Sequence, residues 1–233
     1  MKYLLPLAIA SAIVVAGCSS DDDDDDAPMT SAPGTFQITF TNMTTGQLMT
    51  PPVVALHDAS AHLFQVGEVA SDAIRDIAEM GSNDALVAFA GDNPDLVSGA
   101  GVAGTGPFGP GESVTISLST AVEDQVLSAV NMVICTNDGI SGVDSVALPP
   151  ASDPVLTLNA MAYDAGTRVN EADAQSFFPP PCKVGDTVEA VVEDPRVAIA
   201  AHPGQSNLAN VPENSNWDFA AGAMVLQIEV TRN

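Results

Sequence analysis

The stretch Thr35-Phe36-Gln37-Ile38-Thr39-Phe40-Thr41-Asn42 alternates apolar and polar residues. Its three apolar residues share one face, and the polar residues share the other, which is the period of a half-buried β-strand. Residues 223–230 alternate in the same way. The two segments predict strands of an antiparallel sheet with one apolar face and one solvated face.

Other short segments rich in branched residues predict further strands: 53–58, 112–119, 129–135, 154–163, 187–192 and 197–201. Residues 68–80 change to helical spacing, with Ser71 available as a cap and Gly81 as the end. Residues 99–111 are rich in glycine and proline and predict a long loop. Many short strands and a single short helix predict an all-β fold, an antiparallel β-sandwich.

The first 18 residues have the form of a bacterial lipoprotein signal peptide. Lys2 precedes an apolar run, and Ala16 and Gly17 precede Cys18, which is the predicted lipidation site. A membrane-spanning helix is the weaker interpretation, because the run is shorter than the roughly 18 to 20 residues that span a bilayer.

Residues 19–34 contain six consecutive aspartates and predict a disordered acidic tether. Ser19 directly after the cysteine is typical of sorting to the outer membrane. The expected location is therefore the cell envelope, lipid-anchored and at the outer membrane. Residues 35–233 are then expected to form one β-sandwich domain.

The chain carries 30 acidic and six basic residues, for a net charge of −24. This balance excludes nucleic acid as a partner, because phosphates require the opposite charge. It also disfavours direct docking on anionic lipids.

Two cysteines remain if Cys18 is lipidated. Because exported proteins fold in an oxidising compartment, Cys135 and Cys182 are expected to form a disulfide. The alternative is a pair of buried thiols that behave as small apolar residues.

Two acidic turns are the candidate binding site. The first is Thr136-Asn137-Asp138-Gly139-Ile140-Ser141-Gly142-Val143-Asp144, interpreted as a loop, and the second is Tyr163-Asp164-Ala165-Gly166-Thr167. Both follow apolar runs and place short carboxylates beside glycines, which is how loops converge oxygens on calcium. Such sequences also occur as plain turns.

The chain lacks a Gly-x-Ser-x-Gly nucleophile motif and a phosphate-binding glycine loop. One alternative remains, a metal-dependent periplasmic hydrolase that uses His57, Asp58 and His202. The spacing of His57 and His62 fits neither a helical nor a finger-type zinc motif, and both can be ordinary capping or core histidines.

Several blocks, in this order, resemble the spondin domain in an exported bacterial form. They are Phe36-Gln37-Ile38-Thr39-Phe40-Thr41-Asn42, Pro51-Pro52-Val53-Val54-Ala55-Leu56-His57-Asp58, Leu63-Phe64-Gln65-Val66-Gly67-Glu68-Val69-Ala70-Ser71, Ile77-Ala78-Glu79-Met80-Gly81, Met132-Val133-Ile134-Cys135-Thr136-Asn137-Asp138-Gly139, Tyr163-Asp164-Ala165-Gly166-Thr167 and His202-Pro203-Gly204. The resemblance implies a sandwich used as an extracellular adhesion or interaction module rather than an enzyme.

The resemblance also implies one bound calcium ion, with ligands that fall on Asp138 and Asp164. The third family position falls on Arg168, where an acidic residue would be expected. Since arginine offers only donors, it cannot coordinate a cation. Either Asp144, Asn170 or Glu171 substitutes, or Arg168 pairs with Asp138 or Asp164 and fills the place of the metal.

The sequence therefore predicts a non-enzymatic envelope lipoprotein that binds an unidentified envelope or extracellular protein or glycan, with calcium ordering two acidic turns. The alternatives are the metal-dependent hydrolase and a metal-free structural protein of the envelope.

Overall fold

The computed structural model describes residues 32–168, 196–204 and 220–233. These residues form an antiparallel β-fold, which confirms the predicted class. The elements are β1 (Gly34–Asn42), β2 (Val53–Asp58), α1 (Asp72–Met80), α2 (Asp84–Asp92), β3 (Val97–Val102), β4 (Ser113–Thr120), β5 (Gln125–Met132), β6 (Gly139–Ala147), β7 (Val155–Asp164), β8 (Ala200–Ala201) and β9 (Met224–Arg232).

The strands follow one another in the order β3-β2-β5-β6-β7-β9-β1-β4, with β8 added to β7. Strand β7 links the two halves. Its first part, from Val155 to Met161, pairs with β9. Its last residues, Ala162 to Asp164, pair with β6. The result is a first sheet of β4, β1, β9 and β7 and a second sheet of β3, β2, β5, β6 and the end of β7.

The main core lies between the two sheets. Phe36, Ile38 and Phe40 of β1 are fully buried there with Leu127 of β5 and Ile228 of β9. Burying one side chain of this size contributes about 1.5 to 3 kcal/mol. The alternating residues that predict β1 are therefore the residues that hold the sheets together.

A second core lies on the other face of the second sheet, under the two helices. It contains Val53 of β2 and Val130 of β5, packed with Ile74 and Ile77 of α1. Both faces of β2 and β5 are covered, which explains why their sequences are continuous apolar runs rather than alternating ones.

Helix α1 is shorter than predicted. Ser71 accepts a hydrogen bond from the backbone N–H of Ile74 at 3.2 Å, and Gly81 ends the helix with φ of 65°. Residues 68–70 lie outside it, because Glu68 pairs with Ile199, whose N–H donates to the Glu68 carbonyl at 2.8 Å. The cap predicted at Ser71 is confirmed, and the start at residue 68 is wrong.

The expectation of a single helix is also wrong, since the described residues contain a second one, α2. It has only a weak apolar face: Leu86 and Ala90 are buried, whereas Val87 and Phe89 remain partly exposed. A short helix of this kind depends on its contact with the sheet more than on its own pattern.

The predicted loop at residues 99–111 is wrong at its start, because β3 continues to Val102. Its glycines allow β3 to lie against β4: a Cβ on Gly99 would lie 3.0 Å from the Ser119 carbonyl oxygen, and one on Gly101 would lie 2.8 Å from Ile116. Close approach between strands is thus the reason for glycine here, not a turn.

Residues 136–144, predicted as a loop, are mostly strand, since β6 begins at Gly139. The predicted strand 197–201 is reduced to Ala200–Ala201. The predicted strand 187–192, the tether and the signal peptide lie outside the described residues.

Within the part of the chain that the structure describes, no helix has the length and apolar character needed to cross a bilayer.

Candidate cation site between two turns

Asp138 lies in the tight turn between β5 and β6. The Thr136 hydroxyl donates to the Val133 carbonyl at 2.7 Å and accepts from the Gly139 N–H at 2.7 Å. A Cβ on Gly139 would lie 2.3 Å from the Thr136 hydroxyl oxygen, so the turn requires glycine there. The Asp138 side chain in this turn is fully buried.

The second acidic turn lies beside the first. Asp164 ends β7 and pairs with Gly139 at the start of β6. The Ala165 N–H donates to the Asp138 carbonyl at 3.2 Å. The Asp164 carboxylate accepts from the Gly166 N–H at 2.8 Å, and Gly166 has φ of 66°, which favours glycine. The two aspartates therefore share one end of the second sheet.

The two carboxylate oxygens of Asp138 differ in their partners. Oδ2 accepts from the backbone N–H of Thr167 at 2.8 Å, from that of Arg168 at 2.9 Å and from the Thr167 hydroxyl at 3.3 Å. Oδ1 is buried and has no hydrogen-bond donor among the described residues. A buried acceptor without a donor is costly, and it marks the side of the carboxylate where a ligand would bind.

Electrostatics also distinguish Asp138. Burial raises the pKa of its carboxyl group from 3.8 to about 6, and the charge of Asp164 adds to the rise, while the donors from Thr167 and Arg168 oppose it. A second negative charge close to a buried carboxyl group disfavours the ionisation of that group. A bound cation would relieve both effects.

The guanidinium of Arg168 points to helix α1. Its Nη2 donates to Glu79 Oε2 at 2.8 Å, and Glu79 is the described carboxylate within salt-bridge distance of Arg168. Only the backbone N–H of Arg168 contacts Asp138. The sequence predicts Asp138 or Asp164 as the partner of the Arg168 side chain, whereas the structure shows Glu79. One signal was available: Glu79 lies next to the apolar residues of α1, where a charge needs a partner.

Asp144 lies elsewhere, in a separate network inside β6. Its Oδ1 accepts from the Ser128 hydroxyl at 2.9 Å, and its Oδ2 bonds to His62 Nδ1 at 2.6 Å. Because both oxygens are used, Asp144 does not supply the third ligand in this arrangement. The other candidates, Asn170 and Glu171, lie outside the described residues.

Cys135, just before the first turn, is buried. The other predicted member of its disulfide, Cys182, and the predicted lipidation site Cys18 lie outside the described residues. The disulfide and the lipidation therefore stay predictions.

The residues of the hydrolase alternative do not assemble. His57 Nε2 bonds to the Ser128 hydroxyl at 2.7 Å and its Nδ1 to the Asp58 carbonyl at 2.9 Å. The Asp58 carboxylate accepts from Ser60 in an exposed turn. His202 is buried near Asp164; burial lowers its pKa and the charge of Asp164 opposes this.

No three His, Cys, Asp or Glu side chains in the described ranges are grouped to hold a metal ion. His57, Asp58 and His202 thus do not form the metal centre that this hydrolase requires. The same finding means that a cation at Asp138 and Asp164 needs further oxygen ligands of another kind, such as backbone carbonyls or water.

The family model of the spondin N-terminal domain (Spondin_N) matches residues 34–186. The chain belongs to the spondin N-terminal domain family. This confirms the resemblance, and the matched residues include both acidic turns as well as helix α1 with Glu79. No curated protein matches the chain. Strands β8 and β9 of this spondin-family domain lie beyond the matched residues, although β9 pairs with both β1 and β7 in the first sheet.

Proposed function

We propose that this spondin-family domain is a non-enzymatic binding module of the cell envelope, and that a calcium ion bound by Asp138 and Asp164 orders the end of the sandwich that carries the two turns. The observation that carries the proposal is the buried Oδ1 of Asp138, which has no donor among the described residues and lies beside a second carboxylate.

The residues fit a hard divalent cation. Calcium binds carboxylate and carbonyl oxygens and tolerates irregular geometry, and both turns present oxygens of these kinds. When bound, the ion would neutralise two carboxylates that otherwise repel each other. The chain's own contribution is to hold Asp138 in place through the N–H groups of Thr167 and Arg168, so that one oxygen stays available.

The partner that we propose is an envelope or extracellular protein or glycan, without nucleic acid. The formal net charge of −24 supports the exclusion of polyanions. The lipid anchor at Cys18 would hold the domain at the membrane through the acidic tether.

Calorimetric titration of the purified chain with calcium chloride tests the metal site. The wild type should bind one equivalent, and Asp138→Asn and Asp164→Asn should each abolish most of the binding heat. Asp58→Asn is the matched control, because Asp58 is an exposed aspartate that caps a turn at the other end of β2 and β5. At a free calcium concentration of about 100 times Kd, binding should stabilise the fold by about 2.7 kcal/mol.

Absence of heat together with an unchanged melting temperature would refute the calcium site and favour the metal-free structural protein. Equal loss of binding in Asp58→Asn would show that calcium binds the acidic surface in general.

The anchor is tested separately by partition into a detergent phase. The wild type expressed in a bacterial envelope should enter the detergent phase, and Cys18→Ser should remain in the aqueous phase. If both variants partition alike, the lipid anchor is wrong while the calcium site is unaffected.

Peptide mass mapping without reduction tests the disulfide. A linked pair of peptides that contain Cys135 and Cys182 is expected, and alkylation of both cysteines without a reductant would contradict it.

A further inference from the structure

Arg168 presents a problem for any cation at Asp138. Its backbone N–H donates to Asp138 Oδ2 at 2.9 Å, so the Arg168 side chain branches from the backbone next to this carboxylate. A free guanidinium there could donate to the open oxygen of Asp138 and would repel a second cation. The direction of this side chain therefore decides whether the site is available.

Glu79 sets that direction. It accepts from Arg168 Nη2 at 2.8 Å, and the two side chains are mostly buried, with 16% of Arg168 and 9% of Glu79 exposed. Buried pairs of this kind are held strongly, since separating them leaves an uncompensated buried charge.

Glu79 is the charged residue among the buried positions of α1. The other inward positions of α1 are apolar, namely Ile74, Ile77 and Ala78. The second oxygen of Glu79, Oε1, is buried and has no hydrogen-bond donor among the described residues. Asp138 Oδ1 is in the same situation. A buried carboxylate in an apolar helix face is costly, so its contact with Arg168 is the feature that accounts for it.

We infer that Glu79 is a positioning residue for the cation site: it holds the Arg168 guanidinium on helix α1 and leaves the open oxygen of Asp138 free for a metal. Glu79 also cancels the positive charge of Arg168, so that the guanidinium does not neutralise the charge of Asp138. This inference rests on the proposed calcium site for its function but not for its geometry.

Calcium titration of the full chain tests it with three variants. Glu79→Gln releases Arg168 and should weaken calcium binding by about tenfold or more. The double variant Glu79→Gln/Arg168→Met removes the competing guanidinium and should restore affinity to within about threefold of the wild type. Asp76→Asn is the control, since Asp76 belongs to the same helix and forms an exposed pair with Arg75 at 3.7 Å.

Wild-type affinity in Glu79→Gln, or failure of the double variant to recover, would overturn the inference. If Glu79→Gln does not fold, the double variant keeps the test open, because replacing both members of a buried pair is often tolerated. It should then bind calcium as the wild type does, and lost binding in this folded variant would count against the inference.

A metal-free measurement separates this inference from the calcium proposal. Thermal unfolding with a chelator is compared for Arg168→Met, Asp138→Asn and their combination, each in the wild-type and the Glu79→Gln backgrounds. The side chains of Arg168 and Asp138 should be coupled only in the Glu79→Gln background, where the guanidinium is free to reach Asp138. Equal coupling in both backgrounds would overturn the positioning role even if calcium binds, and coupling as expected would support it even if calcium does not.

Discussion

Asp138 and Asp144 come from the same stretch of sequence, yet the structure treats their carboxylates in opposite ways. Asp144 uses both oxygens, one with Ser128 and the other with His62. Asp138 uses one oxygen with donors from Thr167 and Arg168, and its other oxygen has no donor among the described residues. The comparison separates an aspartate that stabilises the fold from one that is available for a ligand.

The network around Asp144 joins three segments. Ser128 of β5 lies between His57 of β2 and Asp144 of β6, with contacts of 2.7 and 2.9 Å, and it also accepts from the Ser145 N–H at 2.8 Å. Because Ser128 and His57 are almost fully buried, the arrangement lacks the exposed hydroxyl that a nucleophile requires. This hydrogen-bond network around Ser128 stabilises the second sheet.

The largest expected effect comes from Gly142, which lies on β6 between the two aspartates. A Cβ added there would lie 2.0 Å from the Ala129 carbonyl oxygen on β5, and backbone cannot yield as a side chain can. Gly142→Ala should therefore destabilise the fold by at least about 3 kcal/mol, measured by urea unfolding. The substitution should separate Ser128 from Asp144. The turn that contains Asp138 should be less affected, because hydrogen bonds of the Thr136 hydroxyl stabilise it.

Gly91→Ala is the matched control for that substitution. Gly91 lies near the end of α2 with no atom within 4 Å of an added Cβ. Alanine should leave the unfolding midpoint unchanged or raise it slightly, since glycine in a helix costs about 1 kcal/mol relative to alanine. A small effect of Gly142→Ala, similar to that of Gly91→Ala, would contradict the close contact of β5 and β6.

Asp138→Asn should stabilise the metal-free protein, which is the opposite of its effect on calcium binding. The folded pKa of about 6 exceeds the ordinary value of 3.8, so the folded state binds the proton more tightly than the unfolded chain does. Stability from this group is fully present below pH 3.8 and is lost as the pH rises through about 6. The loss amounts to on the order of 3 kcal/mol.

Asparagine carries no charge to lose, so the variant should match the wild type near pH 3.8 and exceed it at pH 7.5, as measured by urea unfolding with a chelator present. Asp144→Asn is the comparison: it should gain no stability at pH 7.5, because both oxygens of Asp144 already have partners. Equal behaviour of the two variants would remove the distinction between these aspartates.

Ser128→Ala tests the hydrogen-bond network around Ser128. The substitution removes the hydroxyl shared by His57, Asp144 and the Ser145 N–H, and it leaves their polar atoms buried without that partner. The cost should be about 2 kcal/mol in urea unfolding, with calcium binding unchanged. A loss of calcium affinity would show that the two aspartates are coupled rather than separate.

The pattern of residues predicted the class of fold but only part of the site. Alternation in β1 and β9 indicates which faces are buried, and the glycines beside Asp138 and Asp164 indicate two turns, but strand β6 was interpreted as a loop. The partners of Arg168 and Asp144 could not be predicted, because Glu79 and His62 lie 89 and 82 positions away along the chain. Strand β3 was missed because its glycines serve close packing against β4, and a turn leaves the same local pattern.

Thr167→Val gives the smallest expected effect. The Thr167 hydroxyl is the longest of the three contacts to Asp138 Oδ2, at 3.3 Å, while the N–H groups of Thr167 and Arg168 lie at 2.8 and 2.9 Å. Since valine keeps both backbone donors, the loss at pH 7.5 should be below about 1 kcal/mol in urea unfolding. A cost equal to that of Ser128→Ala would mean that side chains hold Asp138 as they hold Asp144. A smaller cost would mean that Asp138 is held by backbone, which keeps its open oxygen fixed in position whichever side chains surround it.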